Sequence, residues 1–554
     1  MKRKVISVLA MILAVVLLAA GCGQGNNGGK QTNSPGTQTS VVIDLTKQKV
    51  NTKIGDNVKS AKDTLVISIP TDPGSMDLHY TSTFNYINQY CVSTLLRHEY
   101  STDGSVNYVC NDEALAASYK LDDDNMGVTF NLRQGVKFHN GYSLKANDVI
   151  FSIRRCSDLP YFQMVDFDNI KATDDYTVYV PFKYLDANAV YCLGIEVPIY
   201  SEQYYYEIGA DKDDADFCST KINGTGPYKL VEWKSGDYLN YEAFDDYFAG
   251  KPKIKHLKVR IIKDSTVAFM ELQNGGVDII AINPNWSDVE AVIKGDVKGI
   301  NVWEESTAYT LTLGFNNSGP LSDIRIRKAI AYALDKEAIA EGGYQGSGVN
   351  SYSILSMALS GTIDYKDNWP YPYDPEKAKQ LLKDAGIGEG KLNLKIIVGV
   401  GDALRMATAE AMGAYLKAVG INLEINTVDI ATYAATIAKQ PDQWDMFIRN
   451  FGSGLAIEPS AHAFFKDTLT VNCHISDQQT TPKMLELATR MGETFDTKKR
   501  NEIYKELQDY YLNECLYTLP LVQNKSYILV NEKLKNVMRV GYDTWSVAFG
   551  YFEK

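Results

Sequence analysis

At 554 residues the chain is too long for one hydrophobic core, because single cores stop growing at roughly 250–300 residues. Its formal net charge is −12 and no Lys/Arg run follows the first few residues, which excludes a nucleic-acid footprint. Apolar content is ordinary for a globular protein, and Tyr is abundant at 36 residues, a side chain that suits recognition surfaces as well as strands.

Lys2, Arg3 and Lys4 precede an apolar stretch from Val5 to Ala20 that only Ser7 interrupts, and Leu18-Ala19-Ala20-Gly21-Cys22 closes it. A charged start, a short apolar run and small residues before a cleavage point describe a secretory signal over residues 1–21. The run is short for a hydrocarbon core of ~30 Å. Cys22 after Ala-Ala-Gly resembles a bacterial lipobox, with Ala19 where Leu is commoner. The resemblance implies an acylated Cys22 and a protein held by lipid to the outer face of the cell membrane. Residues 22–60 are expected to be a flexible tether, since GQGNNGGKQTNSPGTQTS offers no core-forming side chains. Later apolar runs are too short to span a membrane. The remaining cysteines, Cys91, Cys110, Cys156, Cys192, Cys218, Cys473 and Cys515, form no CxxC pair, and their connectivity is not readable.

Beyond the tether, Thr64–Ile69 (TLVISI) reads as a strand stopped by Pro70. Val128–Leu132, Tyr176–Val180, Leu257–Ile262, Tyr309–Phe315 and Leu392–Val398 read the same way. Asp374-Pro375-Glu376 supplies a helix cap, a proline at the first helical position and an acidic first turn. Ala378, Leu381, Leu382 and Ala385 then recur at helical spacing, and Gly386 ends the helix. Ile326–Ala333 after Asp323 and Met406–Val419 predict two more helices. Strands alternating with helices define an α/β protein.

Five blocks carry a resemblance. VTFNLRQGVKFHNG at Val128 runs into SLKANDVIFSI, where Asn147 or Asp148 can cap a helix. GTGPYKL begins at Gly224, GGVDI at Gly275, LSDIRIRKAIAYALD at Leu321, and YDPEKAKQLLKDAG at Tyr373. In this order they resemble the extracellular solute-binding proteins of family five, the oligopeptide, dipeptide and nickel binders. The resemblance implies a two-lobed periplasmic-binding-protein-like fold (type II, cluster C) with an extra subdomain inserted in the first lobe. Lobe I would be residues 61–92, 219–306 and 521–554, the insertion 93–218, and lobe II 307–520.

The same resemblance places the ligand contacts. Tyr80, Thr83 and Tyr86 lie in a segment that aligns with a ligand-facing loop. Asn283 and Trp286 follow the GGVDI block and match a second contact region, and Tyr309 sits near the expected crossover. Arg449, Asn450, Phe451, Gly452, Ser453 and Gly454 align with the lobe II contact segment. There a glycine-rich stretch admits a ligand backbone, and Arg449 offers a bidentate partner for a carboxylate. Trp286 and Arg449 suit core packing and a surface ion pair equally well. Many peptide binders carry an Asp four residues before the proline of this segment. Counting back from Pro459 gives Leu455 here, with Glu458 as another acid nearby. A buried ammonium without a partner costs several kcal/mol, so this departure weakens a peptide ligand more than it weakens the family.

The chain is therefore read as a monomeric substrate-binding lipoprotein of an ABC importer. It would close two lobes on an oligopeptide and deliver it to permease and ATPase subunits. An oligosaccharide ligand and a peptide-signal receptor are the alternatives. No cofactor, metal or enzyme activity is expected: HExxH and GxSxG are absent, Gly386–Lys391 lacks phosphate-loop spacing, and the six His are scattered. His139 belongs to the first block and is not read as a metal ligand. Cys22→Ala is expected to release the chain from the membrane fraction or leave it unprocessed, as cell fractionation with immunoblotting would show.

Overall fold

The computed structural model describes residues 42–554 apart from 55–57, 78–88, 103, 210–219, 283, 345–347, 401–402, 453–461, 463, 476–480 and 541–543. The signal segment and Cys22 lie outside the described residues. The tether expected to reach Ser60 needs correction. Val42–Asp44 forms a strand that pairs in parallel with Val302, Trp303 and Glu304, and Leu45 is buried behind it. The physical reason is the short VIDL run, which has enough apolar surface to dock.

The strands that organise the sheets are β1 (Thr64–Ile69), β2 (Ala116–Leu121), β3 (Gly127–Leu132), β4 (Lys171–Asp174) and β5 (Thr177–Pro181). They continue with β6 (Tyr228–Lys234), β7 (Tyr238–Ala243), β8 (His256–Ile261), β9 (Ile279–Ile280) and β10 (Ile300–Phe315). The last are β11 (Leu392–Gly399), β12 (Ile421–Val428), β13 (Met446–Gly452) and β14 (Thr518–Asn531). One continuous sheet of 12 described strands has the main order β12-β11-β13-β10-β14-β9-β1-β8-β7-β6. A separate sheet, β2-β3-β5-β4, stands apart.

Burial divides the molecule further. In β1 the side chains alternate, so Leu65, Ile67 and Ile69 join one core while Val66 joins another on the opposite face. A core built from residues 95–199 fills the space behind the small sheet. A larger one spans residues 311–522. Strands β10 and β14 connect these regions without a break. Val302 and Trp303 lie in the first cores, whereas Leu311, Leu313 and Phe315 lie in the large one. Likewise Leu519, Leu521 and Val522 belong to the large core, and Ile528 and Leu529 to the first two.

The helices that frame the sheet are α1 (Ala146–Arg154), α2 (Ser265–Gln273), α3 (Trp286–Ile293), α4 (Ile324–Ala333), α5 (Pro375–Asp384), α6 (Ala403–Ala418) and α7 (Thr481–Gly492). Asp374 caps α5 by accepting from Lys377 N at 2.9 Å, and Gly386 beyond it sits at φ +79°. Asp323 caps α4. The start of α1 differs from expectation: Lys145 holds the cap position, and Asp148 reaches back from the third helical position to accept from Lys145 N at 2.8 Å. Asn147 takes no part in the cap.

The block residues are structural. Arg133 donates to the carbonyls of Ala114 and Asn111 at 2.7 and 2.6 Å. Arg327 is buried and donates to the carbonyls of Leu516 and Cys515. Gly224 and Gly226 press against the backbone of Cys91, where an added Cβ would stand 2.1 and 2.5 Å from main-chain atoms. Cys91, Cys110, Cys156, Cys192 and Cys473 are free thiols. Among the described residues no helix is long and apolar enough to cross a membrane.

His98 is buried against Tyr191, with ring centroids 5.6 Å apart. Burial, aided by Arg97, pushes its imidazole down to about 3 from 6.5. The unfolded chain therefore binds a proton that the fold refuses. This stability is present above pH 6.5 and is lost as the pH falls toward 3. Urea unfolding is expected to lose about 2 kcal/mol between pH 7 and pH 5 from this group. His98→Gln should flatten that part of the pH profile.

Candidate functional site

The crossing of β10 and β14 from one core to the next is where the ladder is irregular. Pairing holds from Ile300↔Asn531 to Ser306↔Lys525, then slips and resumes at Thr310↔Gln523. A second slip falls between Leu311 and Thr312. Such bulges leave backbone groups without ladder partners, and a buried unpaired carbonyl is costly. Gln523, 6% exposed, supplies the missing bonds. Its Nε2 donates to Thr307 O and Tyr309 O, both at 3.0 Å, while Thr310 Oγ1 donates to its Oε1 at 3.1 Å. The Ser356 hydroxyl donates to Thr307 O as well.

Beside this knot lies a buried charge pair. Arg539 Nη2 bonds Glu305 Oε1, and both side chains are 2% exposed. Tyr100 OH donates to Glu305 Oε2 at 2.9 Å, and Arg539 also reaches Ser526 Oγ and Ala281 O. Burial pushes the Glu305 carboxyl up, and Arg539 and Tyr100 oppose that shift.

On the other side of β10 runs β13. Tyr309 lies opposite Gly452, Thr310 opposite Phe451, Leu311 opposite Asn450 and Thr312 opposite Arg449. Five expected contact residues, Tyr309, Arg449, Asn450, Phe451 and Gly452, are thus brought together on one strand pair. Arg449 and Phe451 share a face by strand alternation, and the guanidinium lies 5.6 Å from the Phe451 ring centroid. Arg449 Nη1 donates to Asn472 Oδ1 at 3.1 Å. Partial burial pushes its guanidinium below the usual value. Tyr433 opposes that shift and Arg405 adds to it. Among the described residues no carboxylate pairs with Arg449. Asn450 Oδ1 is buried with no hydrogen-bond partner among the described residues.

Among the described residues the far edge of β13 has no strand partner over positions 449–452, and Tyr433 OH donates to Ile448 O just before them at 2.7 Å. Strand β11 pairs with β13 only at Met446 and Phe447. On the other side β10 holds positions 449–452. The site therefore brings together strand backbone, a guanidinium held by one amide and a buried amide acceptor, with the Phe451 ring packed into the large core behind them.

Trp286 is placed elsewhere. It opens α3 and packs its ring 5.2 Å from that of Tyr527, against the core of Val66, Phe269 and Leu272. Tyr80, Thr83, Tyr86, Asn283, Ser453 and Gly454 lie outside the described residues, as do Leu455 and Glu458. Gln523, Glu305 and Arg539 were not legible as partners, because the slipped register that joins them is a tertiary feature without a local signature.

Residues 112–469, more than half of the chain, match the family described as bacterial extracellular solute-binding proteins, family 5 Middle. The chain belongs to that family and has its two-lobed α/β fold. It is 33% identical over 304 residues to heme-binding protein A of Haemophilus influenzae, covering 50% of this chain and 54% of that protein. It is 30% identical over 299 residues to the dipeptide-binding protein of Escherichia coli, covering 50% of this chain and 55% of that protein. The chain thus spans about half the length of these curated relatives. The ABC transporter substrate-binding protein CtaP of Listeria monocytogenes superposes with a TM-score of 0.76 at 23% identity, covering 89% of this chain and 99% of that one. An identity this low speaks for the fold alone.

Gln523→Leu keeps the side-chain volume and removes the bonds at the slipped register. It is expected to lower the unfolding free energy by about 1–3 kcal/mol, measured by urea denaturation.

Proposed function

We propose that this chain is the substrate-binding lipoprotein of an ABC importer and captures an oligopeptide between its two lobes. The observation that carries the reading is the far edge of β13, which has no strand partner over positions 449–452 among the described residues. An extended peptide adds to such an edge through main-chain hydrogen bonds, which read backbone and tolerate varied side chains. Arg449 then takes the peptide carboxylate. Asn450 Oδ1, buried and unsatisfied, accepts a ligand N–H. Phe451 forms an apolar wall.

Closure follows from the strand pair. A ligand that touches β13 and the facing lobe favours the closed arrangement by its differential affinity. The slipped register between Ser306 and Thr310 is the pivot, because ladder bonds there are replaced by the bonds of one side chain. Delivery to permease and ATPase subunits, the Cys22 anchor and the place outside the cell membrane belong to the same reading. The name of the Escherichia coli relative favours a peptide. The packing of Trp286 against Tyr527 favours a structural role for that ring over a platform for an oligosaccharide.

Thermal-shift screening separates the ligands, since a true ligand raises the melting point by mass action. Short peptides are expected to raise it and maltooligosaccharides to leave it unchanged; the reverse would sink the peptide reading. Arg449→Met should weaken binding of free-acid peptides by about tenfold or more while leaving C-terminally amidated peptides unaffected, by titration calorimetry.

A further inference from the structure

The core of residues 95–199 touches the large core at a point remote in sequence from β10 and β14. Ala187 N donates to Gly492 O at 2.7 Å. The Asn188 amide Nδ2 meets His462 Nδ1 at 3.3 Å. Ala189 and Val190, next in the chain, belong to the core of residues 95–199. Ala488 and Met491, which precede Gly492 in α7, belong to the large core. The two bonds therefore tie one body to another.

The contact is shaped for its partner. Asp186 accepts from Asn188 N at 2.8 Å and holds the turn. Burial raises its carboxyl, while His462 and Lys466 on the facing side lower it. Asn188 is 5% exposed, and its Oδ1 is buried without a partner among the described residues. The His462 ring lies on the bare Cα of Gly492, where a Cβ would come within 2.8 Å of the imidazole. That closeness needs glycine although the backbone there is helical, a position where alanine is the better helix former.

We propose that Asp186–Asn188 and the His462–Gly492 face form a latch that holds the two lobes closed. The inserted subdomain is then a working part of closure and not a bystander. The proposal rests on the pivot reading given above. Contacts made only in the closed form shift the equilibrium toward it. Two hydrogen bonds at the edge of an interface are weak enough for a ligand to decide the outcome.

The test is single-molecule energy transfer between dyes at Lys171 and Lys498, both exposed and one on each body. The full chain would be measured alone and with a pooled library of tri- to pentapeptides. The wild type is expected to show two distances, with peptides favouring the shorter. Asn188→Ala, His462→Ala and Gly492→Ala are each expected to lower the closed-to-open ratio about threefold to tenfold at an unchanged unfolding midpoint. Because His462 is half-buried, its variant keeps the test valid if a wedge at Gly492 disturbs folding. Wild-type ratios in these variants would overturn the latch and leave the pivot standing. A single distance in the wild type, with or without peptides, would overturn both.

Discussion

The antiparallel pairing of β10 with β14 is the constraint on which the other features depend. The strands run for 16 and 14 residues and pass from one set of cores into another without leaving the sheet. A sheet that crosses a boundary in this way couples the bodies on either side, because each ladder bond fixes the next. The ladder slips at the crossing between Ser306 and Thr310 and again between Leu311 and Thr312, and at the first slip Gln523 takes over from the backbone. A side-chain knot satisfies buried carbonyls yet is less repetitive than a ladder. At the crossing, bonds from one side chain thus stand where ladder bonds would otherwise run.

Charge is distributed around this crossing in two ways. Glu305 and Arg539 are buried together and bonded to each other, with Tyr100 on the carboxylate and Ser526 on the guanidinium. Such pairs contribute little net stability, but removal of one partner is strongly destabilising, so the pair fixes the crossing strand on the first-lobe side. Arg449, on the next strand of the second lobe, has an aromatic neighbour and an amide, but no acid among the described residues. One guanidinium is thus buried on a carboxylate, and the other lies half-buried on an amide.

Much of the fold was legible because it is written locally. The β-branched runs gave β1 and β11, and Asp374-Pro375 gave α5 with its cap. The blocks gave the family, and their residues turn out to serve the scaffold. Arg133 and Arg327 cap carbonyls, and the glycines of GTGPY allow close approach to Cys91. The site was legible only in part. Arg449 to Gly452 were found by alignment to a contact segment, while their pairing with Tyr309 is a matter of register. Trp286 packs on Tyr527, away from the β10–β13 pair, as a tryptophan after a contact block can serve a core as well as a ligand. The docking of Val42–Asp44 was hidden because a polar stretch precedes it.

The central claim is that the far edge of β13 holds an extended peptide. Native mass spectrometry of the protein purified without refolding tests it most directly, because closed binding proteins retain solutes. The account predicts a heterogeneous set of adducts that fragment as short peptides. A single adduct with hexose or pentose spacing would contradict it.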